Sequence, residues 1–272
     1  MTNTISFPGL GLGPWEISRV AFTLFGKDIY WYGVIIAIGF LLGIIVALNV
    51  AKKVNITNDN IFDLVLYCTP VAVICARVYY VVFNIREYDS FMEMIAIWEG
   101  GIAIYGAIIG AVVTAFVYSK VKKINTGDLF DAGLMGVITG QIVGRWGNFV
   151  NAEAYGYNTD SLFRMMIEGV GSVHPTFLYE SVWNLLALIV LFFVVKRRHF
   201  SGQAAYTYAV LYGVGRFMIE ALRTDSLYMG VFRVSQVVSV ASVIIGFIGI
   251  WVNLKNIREN KINSQKTVEN KL

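Results

Sequence analysis

From Tyr30 to Val50 the chain runs without a single charged side chain. About 20 predominantly apolar residues in one helix cross the hydrocarbon core of a bilayer, so this run alone constrains the fold to a membrane architecture. Six more stretches follow at comparable length: Ile61–Asn84, Ile102–Ser119, Leu129–Gly147, Thr176–Val195, Ala204–Leu222 and Val234–Leu254. The second, fourth, fifth and sixth of the seven carry charges; the first, third and seventh read as spans on hydropathy alone. The composition agrees, with 57% hydrophobic and only 15% charged residues, where a soluble domain has about 25% charged. The expected fold is an all-α integral membrane domain of seven transmembrane helices over residues 1–255. A basic tail occupies 256–272. The Leu10–Phe25 region has room for an eighth helix, short and interfacial.

Orientation follows from the loops, because cytoplasmic loops are enriched in Lys and Arg. Thirteen of the 22 basic residues, among them Lys52, Lys53, Lys120, Lys122, Lys123, Lys196, Arg197 and Arg198, follow odd-numbered spans. Six (Arg19, Lys27, Arg86, Arg164, Arg223 and Arg233) lie on the other side, and Arg77, Arg145 and Arg216 lie within spans. The N-terminus is therefore expected outside and the C-terminus in the cytoplasm. The first 28 residues lack the basic-then-apolar order of a cleavable leader, so the N-terminus is expected to be kept. The net charge of +4 is explained by these loops and the tail, which reads as a solvated end near anionic lipid. It makes no case for nucleic acid. Cys68 and Cys75, seven apart in one apolar run, fit no zinc or redox spacing and read as small hydrophobes.

With this orientation and a rise of about 1.5 Å per residue, the intramembrane polar residues fall at one depth. Tyr32, Arg77, Tyr105, Arg145, Asn148, Glu180, Arg216 and Glu220 all lie in the outer half. Only Asp63 and Asp131 lie towards the inner side. Ionisable groups in hydrocarbon are costly and face a cavity or a partner. Glue between helices is the bland account of any one of them, but it accounts poorly for the whole set. Arg216 and Glu220 share a helix face at i, i+4, and Arg145 and Asn148 at i, i+3. Glu180 is expected to pair across helices with Arg77 or with hydroxyls. Three arginines suit an anion, and phosphate fits the guanidinium fork. Gly106 and Gly110 are spaced for close helix packing. His174, before Pro175 at a helix start, reads as closing the long outer loop Asn148–Pro175.

Several chemistries are missing. There is no G-x-S-x-G serine motif, no H-E-x-x-H and no Walker A sequence. With His174 and His199 the only histidines, a metal site is not expected, nor is an organic cofactor. A lipid or small-anion transporter would place ionisable groups through both halves of the bilayer. A purely structural protein would tolerate Gln or Lys at the arginines.

Five motifs carry a family resemblance over about residues 25–250. They are Trp31-Tyr32-Gly33, the run from Trp98 to Gly106, and Gly144-Arg145-Trp146-Gly147-Asn148-Phe149-Val150-Asn151-Ala152-Glu153. His174-Pro175-Thr176-Phe177-Leu178-Tyr179-Glu180 and Gly215-Arg216-Phe217-Met218-Ile219-Glu220 with Arg223 complete the set. The chain resembles the prolipoprotein diacylglyceryl transferases. The resemblance implies a seven-helix bundle in the bacterial cytoplasmic membrane. It implies transfer of diacylglyceryl from phosphatidylglycerol to the lipobox cysteine of a prolipoprotein signal peptide, forming a thioether and releasing glycerol 1-phosphate. Tyr32, Tyr105, Arg145, Asn148, Arg216 and Glu220 are the expected catalytic residues. Arg145, Asn148, Arg216, Glu153, Gly156, His174 and Arg77 are expected to contact substrate. The chain departs from the family at Tyr105, where many members carry His, and at Phe177, where Gln is frequent. Tyrosine is a poor base at neutral pH. Either arginines activate Tyr105, or it only positions substrate, or the base is elsewhere, at Glu220, Glu153 or His174.

Overall fold

The computed structural model describes residues 2–269, so Lys271 of the tail lies outside the described residues. Among the described residues eight α-helices form: α1 (Trp31–Ala51), α2 (Asn58–Phe83), α3 (Phe91–Ile95), α4 (Ile104–Val121), α5 (Thr126–Asn151), α6 (Thr176–Arg197), α7 (Gln203–Glu220) and α8 (Val234–Glu269). All but the five-residue α3 correspond to the seven expected stretches. Five of them (α1, α2, α4, α6 and α8) are long and apolar enough to cross a membrane, and their most apolar windows are only 11–39% buried. So much exposed hydrocarbon on a folded surface is that of an integral membrane protein. The charged and hydroxylated residues of α5 and α7 make them less apolar, and each of these two helices leaves only two side chains exposed, Val137 and Trp146 on α5 and Phe217 and Met218 on α7. Glycines let them sit close: a Cβ on Gly43 of α1 would stand 2.7 Å from the carbonyl oxygen of Gly136 on α5. Gly106 and Gly110 of α4 do the same work against Cys75 of α2, as their spacing predicts. Both cysteines are free and half-buried along that contact. Helix α8 continues through most of the basic tail rather than ending near Leu254.

The chain is not all-α. Among the described residues eight short strands form, β1 (Thr2–Phe7), β2 (Leu12–Ser18), β3 (Val20–Leu24), β4 (Lys27–Tyr30), β5 (Met165–Ile167), β6 (Gly171–Val173), β7 (Tyr228–Met229) and β8 (Phe232–Arg233). They make one antiparallel sheet in the order β2-β1-β5-β6 and two hairpins, β3-β4 and β7-β8. The Leu10–Phe25 region is therefore strand, not interfacial helix. Gly11, in the left-handed region, ends the 3-10 turn Pro8–Leu10, and Gly13 and Pro14 keep any helix from continuing. In β1, Ile5 and Phe7 are buried while the intervening positions are more exposed, the period-two pattern of a half-buried strand. Phe25 and Gly26 join Leu24 to Lys27 with φ of 49° and 75°, the positive pair that a two-residue hairpin requires. Asn3 Nδ2 donates to the Val150 carbonyl at 2.8 Å and ties the sheet to the end of α5.

The two ends of the bundle differ. At the basic end, where Lys52, Lys120 and Arg197 lie, Val50, Val54, Ile61, Leu129, Met135, Leu191 and neighbours form a closed apolar cluster. Asp131 is fully buried beneath it. It accepts from the N–H groups of Gly202 and Ala205 at 3.0 and 2.8 Å, at the start of α7, and pairs with Arg198 at 3.1 Å. Asp63 pairs with Lys122 at 3.1 Å and accepts from Tyr118 at 2.8 Å. At the sheet end, a second, smaller apolar cluster (Ile5, Phe7, Met165, Ile167, Val173 and Phe177) lies under the strands. Between these clusters α5, α6 and α7 carry the polar residues.

Candidate active site

Three arginines converge on one carboxylate. Glu180, in the second turn of α6 and only 4% exposed, pairs with Arg145 of α5 at 2.6 Å, Arg216 of α7 at 2.9 Å and Arg223 at 3.4 Å. Arg216 also stands 2.6 Å from Glu220 Oε2, the partner that its i, i+4 spacing predicts. The approach is off the hydrogen-bonding direction, so that buried oxygen is charge-paired without a hydrogen bond. Arg223 reaches on to Asp225 at 2.7 Å. Burial pushes the Asp225 carboxyl up, but the hydrogen bonds and charge of Arg223 outweigh it and hold it below its ordinary value. Three cations thus face Glu180, Glu220 and Asp225, so the cluster is close to neutral and buried charge has its partners. The sequence suggested Arg77 or hydroxyls of other helices as the partners of Glu180. The structure corrects this, because the Arg77 guanidinium is taken up by the carbonyls of Glu93, Met94, Gly100 and Gly101 at 2.5–2.9 Å. Arg77 fastens the segment before α4 and stands apart from the cluster.

The edge of the cluster is open. Arg145 keeps 23% of its side chain exposed and reaches Asn148 at 3.5 Å, and Asn148 donates to Glu153 at 2.9 Å. Glu153 is exposed and pairs with no cation among the described residues. It is flanked by Ala152 and Ala154 at φ of 52° and 55°. Left-handed backbone is unusual for alanine and is a form of strain that clusters at active sites. Tyr32, in the first turn of α1, packs its ring on Gly147, where a Cβ would meet it at 2.8 Å. With Asn151 and Asp28 it lines an open cleft of about 540 Å³. The Tyr105 hydroxyl lies 3.2 Å from the Ser235 hydroxyl and joins the first turns of α4 and α8.

Gly156 and His174 form a backbone seam. The Gly156 N–H donates to the His174 carbonyl at 2.9 Å. A Cβ on Gly156 would stand 2.7 Å from the Leu222 carbonyl oxygen. Only glycine lets the loop after α5 close on the end of α7, beside Arg223. His174 Nδ1 lies 3.2 Å from the Tyr179 hydroxyl, and partial burial lowers the imidazole pKa. Arg233 of β8 donates to the Glu220 carbonyl and to the Tyr157 hydroxyl, the latter at 3.1 Å, pinning the β7-β8 hairpin to the end of α7. Sequence reasoning assigned no role to Arg233 or Tyr157, whose partners lie far away in sequence. Arg223 was visible as the basic residue three after Glu220. Among the described residues no group of His, Cys, Asp and Glu could hold a metal ion.

This geometry sits inside a family match. Residues 19–252 match the family described as prolipoprotein diacylglyceryl transferase. The chain belongs to that family. A relative from Clostridioides difficile is 44% identical over 251 residues, covering 92% of this chain and all of its own length. One from Finegoldia magna is 47% identical over 234 residues, 85% of this chain and 94% of its own. One from Oceanobacillus iheyensis is 42% identical over 265 residues, 91% and 92% respectively. All three are named phosphatidylglycerol–prolipoprotein diacylglyceryl transferase. The arginine cluster, with Tyr32, Asn148 and Tyr105, lies wholly within the matched span of the transferase family.

Proposed function

We propose that this chain transfers the diacylglyceryl group of phosphatidylglycerol to the lipobox cysteine of bacterial prolipoproteins, at the Arg145–Arg216 edge of the cluster. The observation that carries this reading is the convergence of three arginines at one end of a membrane bundle. A phospholipid phosphate is the anion available there. The lipid phosphate takes up guanidinium donors of Arg145 and Arg216 that Glu180 otherwise shares, with Asn148 beside it. The cysteine sulfur attacks the diacylglyceryl carbon bonded to the phosphate oxygen. The new C–S bond forms as that C–O bond breaks, and glycerol 1-phosphate leaves with both electrons of the broken bond. Its oxygen gains negative charge, and preorganised arginines stabilise developing charge strongly in a water-poor site. The thiolate is the nucleophile, so the thiol proton must go to a base. Glu153 suits this task best: it is exposed, free of cations and held by Asn148 one hydrogen bond from the arginine edge. Glu180 and Glu220 are committed to arginines, and Tyr105 is engaged with Ser235. Tyr32 lines the adjoining cleft and positions substrate.

The same reading includes seven spans, with α5 and α7 shielded from lipid by the others. The basic end faces the cytoplasm and the N-terminus lies outside. Lys and Arg asymmetry supports this orientation, in the bacterial cytoplasmic membrane. The closed apolar cluster at the basic end argues against a transport path, which needs polar groups along its whole length. The test is transfer of labelled diacylglyceryl from phosphatidylglycerol to a lipobox peptide by the purified chain. Label that requires both the cysteine and Arg145 is expected. Full transfer by Arg145→Ala sinks the assignment of the phosphate.

A further inference from the structure

An aromatic groove of about 640 Å³ lies beside the arginine cluster, between the β1-β2 hairpin and the ends of α5 and α6. Ligand clefts fall in this size range. Leu12, Trp15 and Ile17 form one wall; Trp146, Phe149 and Phe177 form the other. The second wall is rigid. Phe149 and Phe177 pack at 4.9 Å and Trp146 and Phe177 at 5.5 Å between ring centroids, and Trp146 Nε1 donates to Ser181 at 3.2 Å. The first wall is open, with Leu12 and Trp15 leaving 48% and 42% of their surface exposed.

Strand β2 carries two further features. It pairs only with β1 and is an edge of its sheet. Four consecutive residues, Trp15, Glu16, Ile17 and Ser18, all line the groove. Successive side chains of a strand point to opposite faces, so a groove touching all four runs along the strand's edge. An edge strand presents unpaired N–H and C=O groups to whatever lies alongside, and adding an extended peptide to such an edge is a recurring recognition mode. The groove also adjoins the anion site through its own wall. On α5, Trp146 and Phe149 each sit next in sequence to Arg145 and Asn148. On α6, Phe177 lies one turn before Glu180 and Ser181.

We propose that this groove is the docking site of the peptide substrate. The apolar segment preceding the acceptor cysteine pairs in extended form with the free edge of β2. Alternate apolar side chains enter between Trp15 and Trp146, and the thiol is delivered to the Arg145 edge. The inference rests on the transferase reading for the identity of the peptide.

The test uses the full chain in phosphatidylglycerol nanodiscs and a lipobox peptide with its cysteine replaced by serine and a photoreactive residue in the apolar segment. Crosslinks within residues 12–18 are expected. Crosslinks confined to other elements overturn the proposal. In transfer kinetics, Leu12→Asp and Trp15→Ala each raise the peptide KM about tenfold and leave the lipid KM and kcat within about twofold. Leu12→Asp guards against a folding defect, since Leu12 is exposed whereas Trp15 also contacts Phe7. Methylating one peptide amide that faces β2 weakens binding by a similar factor. A rise in lipid KM alone assigns the groove to an acyl chain and overturns the proposal, as do unchanged constants in both folded variants. Crosslinking at β2 by a chain that transfers no lipid would refute the transferase reading while the peptide site stands.

Discussion

Replacing Glu180 with glutamine preserves the shape of the side chain and removes the one negative charge that Arg145, Arg216 and Arg223 share. All three approach within 3.4 Å, and the carboxylate is 4% exposed. Little water can take over its role. Breaking a buried ion pair from one side costs about 3–5 kcal/mol, because the remaining charge is left uncompensated. For a chain of this size that lowers the melting temperature by on the order of 10 °C. Cys68 and Cys75 are half-buried and free, so a thiol-reactive fluorophore reports unfolding in detergent. Removing Arg223 as well, in Glu180→Gln/Arg223→Gln, takes away part of the excess positive charge. The double variant is expected to melt above the sum of the two single losses by a coupling of about 1–3 kcal/mol. A Glu180→Gln protein melting within about 2 °C of the parent would refute the reasoning, and so would strictly additive losses.

Three other outcomes follow from the same structure. Gly136→Val drives a side chain into the Gly43 carbonyl on α1, where even a Cβ has only 2.7 Å. Overpacking of about 1–3 kcal/mol is expected, read as a lower melting temperature. Ala152→Gly relieves a left-handed residue at the end of α5 and is expected to raise stability by about 1 kcal/mol, while transfer falls if Glu153 loses its fixed direction. His174 has its pKa lowered by burial, so the folded chain disfavours the protonated form. Its contribution is complete above the ordinary histidine value and is lost as pH drops below it. Melting temperature against pH should therefore fall less steeply on the acid side in His174→Asn than in the parent.

Helices and strands were not equally legible. The first, third and seventh long helices follow from hydropathy alone, because each is a continuous apolar run that survives errors of one or two positions; α5 and α7, less apolar, were placed by their length and by the alternation of basic loops. Strands β1 and β2 are short, with Gly13 and Pro14 inside β2, and the second partner of β1, β5, lies some 160 residues away, so no local pattern fixes that pairing. At the site, Arg216 and Glu220 were readable as a pair because one helix turn joins them. The one arginine suggested for Glu180 was the wrong one, since depth in the membrane orders residues along one axis and says nothing about which faces meet. Arg77 and Arg145 both belong to outer helix halves by depth, yet one is wrapped in carbonyls and the other pairs with Glu180 and stays partly exposed. The strain around Glu153 has no sequence signal at all, as alanine is ordinarily content in a helix.

The contrast between the two ends of the bundle bears on the membrane itself. A bundle plugged by Val50, Ile61, Leu129 and Leu191 at one end and polar at the other can draw lipid from a single leaflet. Each turnover then consumes one phospholipid of that leaflet. On the proposed reaction the two acyl chains stay in that leaflet on the thioether of the product, so its hydrocarbon area is conserved and what each turnover removes is one anionic headgroup.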